Sequence, residues 1–271
     1  MRTPTTTVES RTRTNPGWQS VQGLVSRTFL RLELRRFFRD RVSVFFIALL
    51  PAFFFLIFGT QDFANEDIGN GNLVLYIAIS MAAYGAVTAT TGVGGMAAVE
   101  RSQGWGRQLG LTPLRDPSFV AVKALLGLMV AAIPVALIYL LAWLTGAEGT
   151  AGAWVLSALI VLLGASVFAL YGLAVGLFFR SEASVGAASG ILVILAFLGN
   201  IFFPLSGVML TIAKFTPLYG YVALARYPLS EGHLENGDHD PLWMAVGNVG
   251  AWAAIFALVA VWLVHRGRER Q

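Results

Sequence analysis

Apolar and polar positions do not alternate along this chain. They segregate into long blocks, and stretches free of Asp, Glu, Lys and Arg cover residues 42–60, 73–98, 124–147, 149–179, 183–213 and 241–264. A helix needs about 20 apolar residues to cross a bilayer. The pattern therefore predicts an all-α integral membrane protein with six transmembrane helices, at about 42–60, 73–98, 119–145, 153–179, 186–211 and 242–264. Residues 1–20, rich in Thr, Arg and Pro, read as a disordered tail, and 21–271 as a single membrane domain.

Within these blocks the punctuation is informative. Pro51 stands in the first span before a Phe-rich half (Phe53, Phe54, Phe55, Phe58), which predicts a kinked helix facing lipid or a partner subunit. The second span carries Tyr84, Thr88, Thr90 and Thr91 beside Gly85, Gly92, Gly94 and Gly95, a face suited to close helix approach. The block 183–213 is about 31 residues, about 46 Å as one helix, against a hydrocarbon core of about 30 Å. It must bend or break, and Gly199, Asn200 and the turn Phe203, Pro204, Leu205, Ser206, Gly207 mark the place. Because 215–229 is again apolar, a re-entrant hairpin entering from outside is expected between spans five and six. Ahead of the first span, residues 24–41 predict an interfacial helix with Arg27, Arg31, Arg35 and Arg39 at steps of four, a basic stripe suited to phosphate headgroups. A plain basic extension of the first span is the competing reading.

Composition agrees with the bilayer as solvent. The chain is 56% hydrophobic and 13% charged, where a soluble domain carries about 25% charged residues. The spans take more than half of its length, so no separate catalytic domain is expected. With no Cys and three scattered His, neither disulfides nor a zinc cage can be built.

The charges then orient the spans. With the N-terminus inside, seventeen of the nineteen Lys and Arg fall on the cytoplasmic side. Only Lys214 and Arg226 remain outside, with Asp62, Glu66, Asp67, Glu148, Glu231, Glu235, Asp238 and Asp240. This is the positive-inside pattern, and it predicts a multi-pass protein of the cytoplasmic membrane with both termini cytoplasmic. It also accounts for a sequence pI near 9.7 through contact with anionic lipid, without nucleic acid as a partner. Nine Arg in the first forty-one residues make too long and polar a leader for a cleaved signal, so the first span is expected to be retained.

Several chemistries are missing. Ion-coupled carriers place ionisable groups in mid-span, and the blocks hold essentially none; Lys123, near the start of span three, is expected to snorkel to the interface. The two lysines, Lys123 and Lys214, stand in no P-loop context, so ATP is not bound that way. No Ser, His and carboxylate share a depth, which disfavours an intramembrane hydrolase.

The loop between spans two and three, residues 99–115, spends a Trp, three Leu and several charges where a few residues would turn the chain, which points to a docking surface. Its Glu100-Arg101, Gly104, Gln108-Leu109 and Thr112-Pro113-Leu114 resemble the pattern that follows the second span in ABC-2-type transporter permeases. Phe203 to Gly207, then Pro217-Leu218 and Arg226, resemble the same family's signature around the fifth span. Trp105 and Arg107 stand where Thr and Glu are common in that family.

The resemblance implies a permease that pairs with a second permease, as homo- or heterodimer, and with cytoplasmic ABC ATPase subunits. ATP and Mg2+ would bind on those partners, with no cofactor on this chain. Glu100, Arg101, Gly104, Trp105, Arg107, Gln108 and Leu109 would form the coupling loop, and Tyr84, Thr88, Phe197, Asn200 and Phe203 would face a central cavity. For Asn200 an interhelical hydrogen bond is an equally good role. An apolar cavity without fixed charge would suit a hydrophobic or amphipathic cargo such as a drug, antibiotic or lipid-like compound. A glycan or glycolipid exporter, or a membrane scaffold recruiting a signalling protein, are the alternatives.

Overall fold

A computed structural model of the chain describes residues 27–61, 64, 66–101, 103, 116–234 and 237–268. The predicted tail at 1–20 and residues 104–115 of the inter-span loop fall outside them. Among the described residues the elements are α1 (Arg27–Arg39), α2 (Arg41–Gly59), a short hairpin of β1 (Asp67–Ile68) and β2 (Gly71–Asn72), α3 (Leu73–Glu100), α4 (Asp116–Leu144), α5 (Ala151–Phe179), α6 (Glu182–Leu198), α7 (Gly207–Ala213), α8 (Pro217–Ser230) and α9 (Leu242–Arg268). The protein is an all-α integral membrane protein. Five helices, α2, α3, α4, α5 and α9, are long and apolar enough to cross a membrane.

α3 is the axis of the bundle, and every residue from 73 to 91 is buried. A helix apolar all round has no polar face to keep in water and can be buried on every side, and here the other helices wrap it. Its seam with α5 is close enough to exclude any side chain: a Cβ at Gly172 would sit 2.1 Å from the Thr91 carbonyl oxygen, and one at Gly94 2.2 Å from that of Ala169. Thr90 Oγ1 donates to the Ala165 carbonyl at 2.7 Å and Thr91 Oγ1 to that of Phe168 at 3.2 Å. The first of these meets α5 where its helix is interrupted, between Ala151–Gly164 and Ser166–Phe179. Small residues for approach and hydroxyls for cross-links are the usual means of helix association in lipid. Of the expected close-approach glycines, Gly92 faces open space.

Around this axis the outer helices expose apolar side chains, among them Phe45, Phe46 and Phe53 on α2, Leu159 on α5, and Leu258, Val261 and Trp262 on α9. Pro51 is preceded by a π-helical turn, Phe45–Leu49, in which the Leu50 N–H reaches the Phe45 carbonyl. The wider turn accommodates a residue that has no N–H to donate. The Phe-rich half does not face lipid as a unit, since Phe53 is exposed whereas Phe55 is fully buried.

The fifth span differs from its expected bounds of 186–211. Its helix, α6, ends at Leu198, 17 residues from Glu182. The rest of the predicted range is turn and the short α7. Asn200 ends the run by adopting a left-handed backbone (φ 57°), and its side-chain oxygen accepts the Leu205 N–H at 2.7 Å. Asn tolerates this conformation better than branched residues do. α7 and α8 then meet at 93° as a broken hairpin, as expected between the fifth and last spans. The hairpin is fastened to α9: Asn248 Nδ2 donates to the Lys214 carbonyl at 2.8 Å and Trp252 Nε1 to that of Phe215 at 2.9 Å. Lys214 pairs with Asp240 at 2.7 Å, and the Tyr219 hydroxyl donates to the same carboxylate.

At this hairpin end the connecting loops knit together. Asn72 caps α3 by accepting the Leu75 N–H at 3.2 Å and donates to the Gly146 carbonyl at 2.9 Å. Asn70 Nδ2 donates to the Pro228 carbonyl at 3.3 Å. The two short strands belong to this joint; they are the one sheet among the described residues.

Candidate functional site

Two places gather the polar chemistry of the bundle, one at each end. At the end where α1 lies, Arg27, Arg31, Arg35 and Arg39 are all exposed, while Leu30, Leu34 and Phe37 pack toward the core. Glu33, which interrupts that apolar side in the sequence, is 8% exposed for a specific reason: it faces a cation. Lys123 of α4 places Nζ 2.7 Å from Glu33 Oε2 and 2.7 Å from Glu100 Oε2. Arg36 of α1 closes the group with Nη1 2.5 Å from Glu100 Oε1. Two carboxylates and two cations thus bind α1, the end of α3 and the start of α4 into one neutral cluster. Snorkelling does not describe Lys123, whose ammonium turns inward because two buried carboxylates outbid the interface. Glu100 is the last residue of α3, and Arg101 beyond it is exposed. The other five expected coupling residues, Gly104, Trp105, Arg107, Gln108 and Leu109, lie outside the described residues.

Toward the hairpin end, aromatic side chains from three helices converge on Phe202, whose ring centroid lies 5.4 Å from Phe54, 5.5 Å from Tyr84 and 4.9 Å from Phe197. Phe203 extends the cluster to Phe58, at 6.0 Å. Beside it opens a cleft of about 450 Å3, walled by Ile57, Phe58, Phe203 and Pro204, with Gln61, Asn200 and Arg226 as polar members. Of the five residues expected to face a cavity, Asn200 and Phe203 line this cleft, and Tyr84 and Phe197 stand behind it against Phe202. Thr88 does not take part; it is buried, and its hydroxyl donates to the Tyr84 carbonyl at 2.8 Å.

The expectation of a cavity without fixed charge is overturned by Arg226. This residue of α8, placed outside by the charge count, is 4% exposed. Its Nε donates to Ser80 Oγ at 2.8 Å, Nη1 to the Tyr76 hydroxyl at 3.1 Å and Nη2 to the Asn200 carbonyl at 2.8 Å. Its Cζ also lies 4.0 Å from the Tyr76 ring centroid, a cation–π contact. The guanidinium thereby holds the hairpin, the axial helix and the break after α6 together. The signal was present in the sequence, since Arg226 is the single charge in the apolar stretch 215–229, and an ionisable residue in such a stretch is a functional candidate by default.

A helix bundle of this kind, with a charged cluster at one end and a broken hairpin at the other, is matched by the profile of a family described as "ABC-2 family transporter protein" over residues 60–264. The chain belongs to the ABC-2 transporter family. It is also 23% identical over 236 residues, 85% of its own length and 93% of the other's, to a Bacillus subtilis (strain 168) protein described as "Putative transport permease YvfS". The ABC-2 match covers α3 through most of α9, hence Arg226 and the cleft residues from Gln61 onward, and two of the three helices joined by the charged cluster. As an ABC-2 protein the chain is a membrane permease component, and the family's ATPase site is carried by a partner ABC ATPase.

Proposed function

We propose that this chain is the permease subunit of an ATP-driven exporter that moves a hydrophobic or amphipathic compound outward across the cytoplasmic membrane. A drug, an antibiotic or a lipid-like molecule is the cargo class that the aromatic cleft favours. A second permease, identical or related, completes the pathway, and ATP and Mg2+ bind on separate ATPase chains docked at the α1 end. That end is cytoplasmic in this reading because it carries the Arg-rich segment, Arg101 and Arg266.

The observation that carries the reading is the charged cluster. Glu100 ends α3 and begins the segment leading to Gly104, Trp105, Arg107, Gln108 and Leu109, the proposed ATPase contact. Through Lys123 and Arg36 the same carboxylate holds α4 and the interfacial helix. A push on that segment therefore reaches three elements together, among them the axial helix whose far half backs the aromatic cleft. Rigid, ion-paired elements are the physical means by which a partner's movement is transmitted.

The test is to purify the chain in lipid with and without a cognate ABC ATPase and to follow ATP hydrolysis while titrating hydrophobic compounds. Stimulation by particular compounds, only in the complex, is expected. Hydrolysis indifferent to every compound, or no co-purifying ATPase, would leave a membrane scaffold as the better reading.

A further inference from the structure

A buried guanidinium is ordinarily matched by a carboxylate. Among the described residues Arg226 has none: the ion pairs there join Arg36, Lys123 and Lys214 to Glu33, Glu100 and Asp240. Its three hydrogen-bond partners, Ser80, Tyr76 and the Asn200 carbonyl, are all neutral. A guanidinium has five N–H donors, so two remain without a partner among the described residues. The same side chain forms part of the wall of the cleft of about 450 Å3, together with the apolar side chains of Phe58 and Phe203. A cleft lined by a fixed positive charge with spare donors and by aromatic rings has the two chemistries that an amphiphile with an anionic head requires.

We infer that this cleft is a binding site for an anionic amphiphile, a carboxylate or phosphate head on Arg226 with its hydrocarbon chain against Phe58 and Phe203. The inference rests on the exporter reading and narrows its cargo class, since the guanidinium repels a cationic compound and offers a neutral one a weaker hydrogen bond than it offers an anion. The volume is within the range of small-molecule sites, about 300–1,000 Å3. The neutral partners hold the guanidinium in place ahead of binding, so little of its side-chain entropy is lost when the head arrives.

The experiment uses the full chain in phosphatidylcholine nanodiscs, with dansyl-undecanoic acid as the fluorescent probe displaced by dodecanoate, dodecyl phosphate, dodecanol or dodecylammonium. Dodecanoate and dodecyl phosphate are expected to displace it at about tenfold lower concentration than the other two, the scale of one charge-assisted hydrogen-bonded pair. In Arg226→Gln that ratio should fall to about one while dodecanol binding persists. Phe203→Ala, at a side chain 56% exposed and therefore dispensable for folding, should weaken all four compounds alike. A wild-type ratio near one overturns the proposal even if Arg226→Gln fails to fold, and so does a Phe203→Ala protein with every affinity unchanged. A preference that emerges only in Asp62→Asn would mean that this neighbour of Gln61 already neutralises the guanidinium, which also overturns it. Repeating the titration in phosphatidylglycerol discs separates cargo from bilayer lipid: retained dodecanoate binding supports a cargo site, and complete competition by the lipid refutes it. Failure of the exporter reading would look different, as absent ATP-driven transport with this head-group preference intact.

Discussion

Lys123 Nζ lies 2.7 Å from Glu33 Oε2, although the two residues are 90 positions apart in the chain. Each side chain is 8% exposed, so the pair is out of water and beyond easy screening. The same ammonium serves Glu100, and it is the cation that makes two neighbouring buried carboxylates tolerable.

Removing that cation should be costly. Lys123→Ala leaves the buried Glu33 without its cation beside a Glu100 that retains Arg36, and breaking a buried pair costs about 3–5 kcal/mol. A lower melting temperature in detergent is expected, with recovery in the Glu33→Gln, Lys123→Met double variant, where Glu100 keeps Arg36. A single variant as stable as the parent would contradict the burial of this cluster.

Arg36 sits differently, with its side chain 53% exposed while its partner Glu100 is buried. A half-exposed pair contributes about 0–1 kcal/mol, so Arg36→Ala should leave the melting temperature nearly unchanged. It should nevertheless reduce compound-stimulated ATP hydrolysis in the reconstituted complex, because α1 loses its direct tie to the end of α3. Full stimulation in this variant would remove α1 from the transmission route.

The α3–α5 seam has no spare room. Gly172→Ala places a methyl where the Thr91 carbonyl now lies, so the two helices must separate and the Thr90 and Thr91 cross-links stretch. Overpacking of this kind costs about 1–3 kcal/mol, whereas the same change at Gly92, which meets nothing, should be neutral or stabilising. Comparing the two melting temperatures checks the packing directly.

Asn200 combines two requirements, a left-handed backbone and an acceptor for Leu205. Asn200→Gly keeps the first and loses the second, while Asn200→Ala loses both. The expected order of stability is parent, then Gly, then Ala, with steps of about 1 kcal/mol each. An Ala variant as stable as the Gly variant would show that the φ of 57° is not retained.

Asp40 caps the first turn of α2 through both the N–H and the hydroxyl of Ser43, which hold its carboxyl below the ordinary value of 3.8. A depressed folded value stabilises the fold fully above the unfolded value, and the contribution fades as pH falls through the lower folded one. Asp40→Asn should therefore cost little at neutral pH and flatten the acid limb of a stability profile. The group is solvent-exposed, so the whole effect is small, about 0.5 kcal/mol.

How much of this could be read in advance differs between elements. Helix existence and the break near Asn200 follow from block length and turn residues, because a helix much longer than the hydrocarbon core cannot stay straight within it. Aromatic convergence is half legible: the sequence points to Tyr84, Phe197 and Phe203, but not to Phe202, the ring on which Tyr84 and Phe197 meet. Periodicity inside a uniformly apolar block carries no face information, so it cannot say which rings touch.

Hydropathy, charge placement and a few turn residues are enough to establish an all-α membrane protein, with a basic helix ahead of the first span and a break before the last, because the bilayer imposes those features one segment at a time. Partner choice is a different kind of property. That Lys123 turns inward to Glu33 and Glu100, and that Arg226 is buried against Tyr76, Ser80 and Asn200, depends on residues from distant parts of the chain meeting in space. The cost of burying each charge is settled only by those neighbours, so the fold alone decides whether a cation near a span end points to water, to lipid or into the protein.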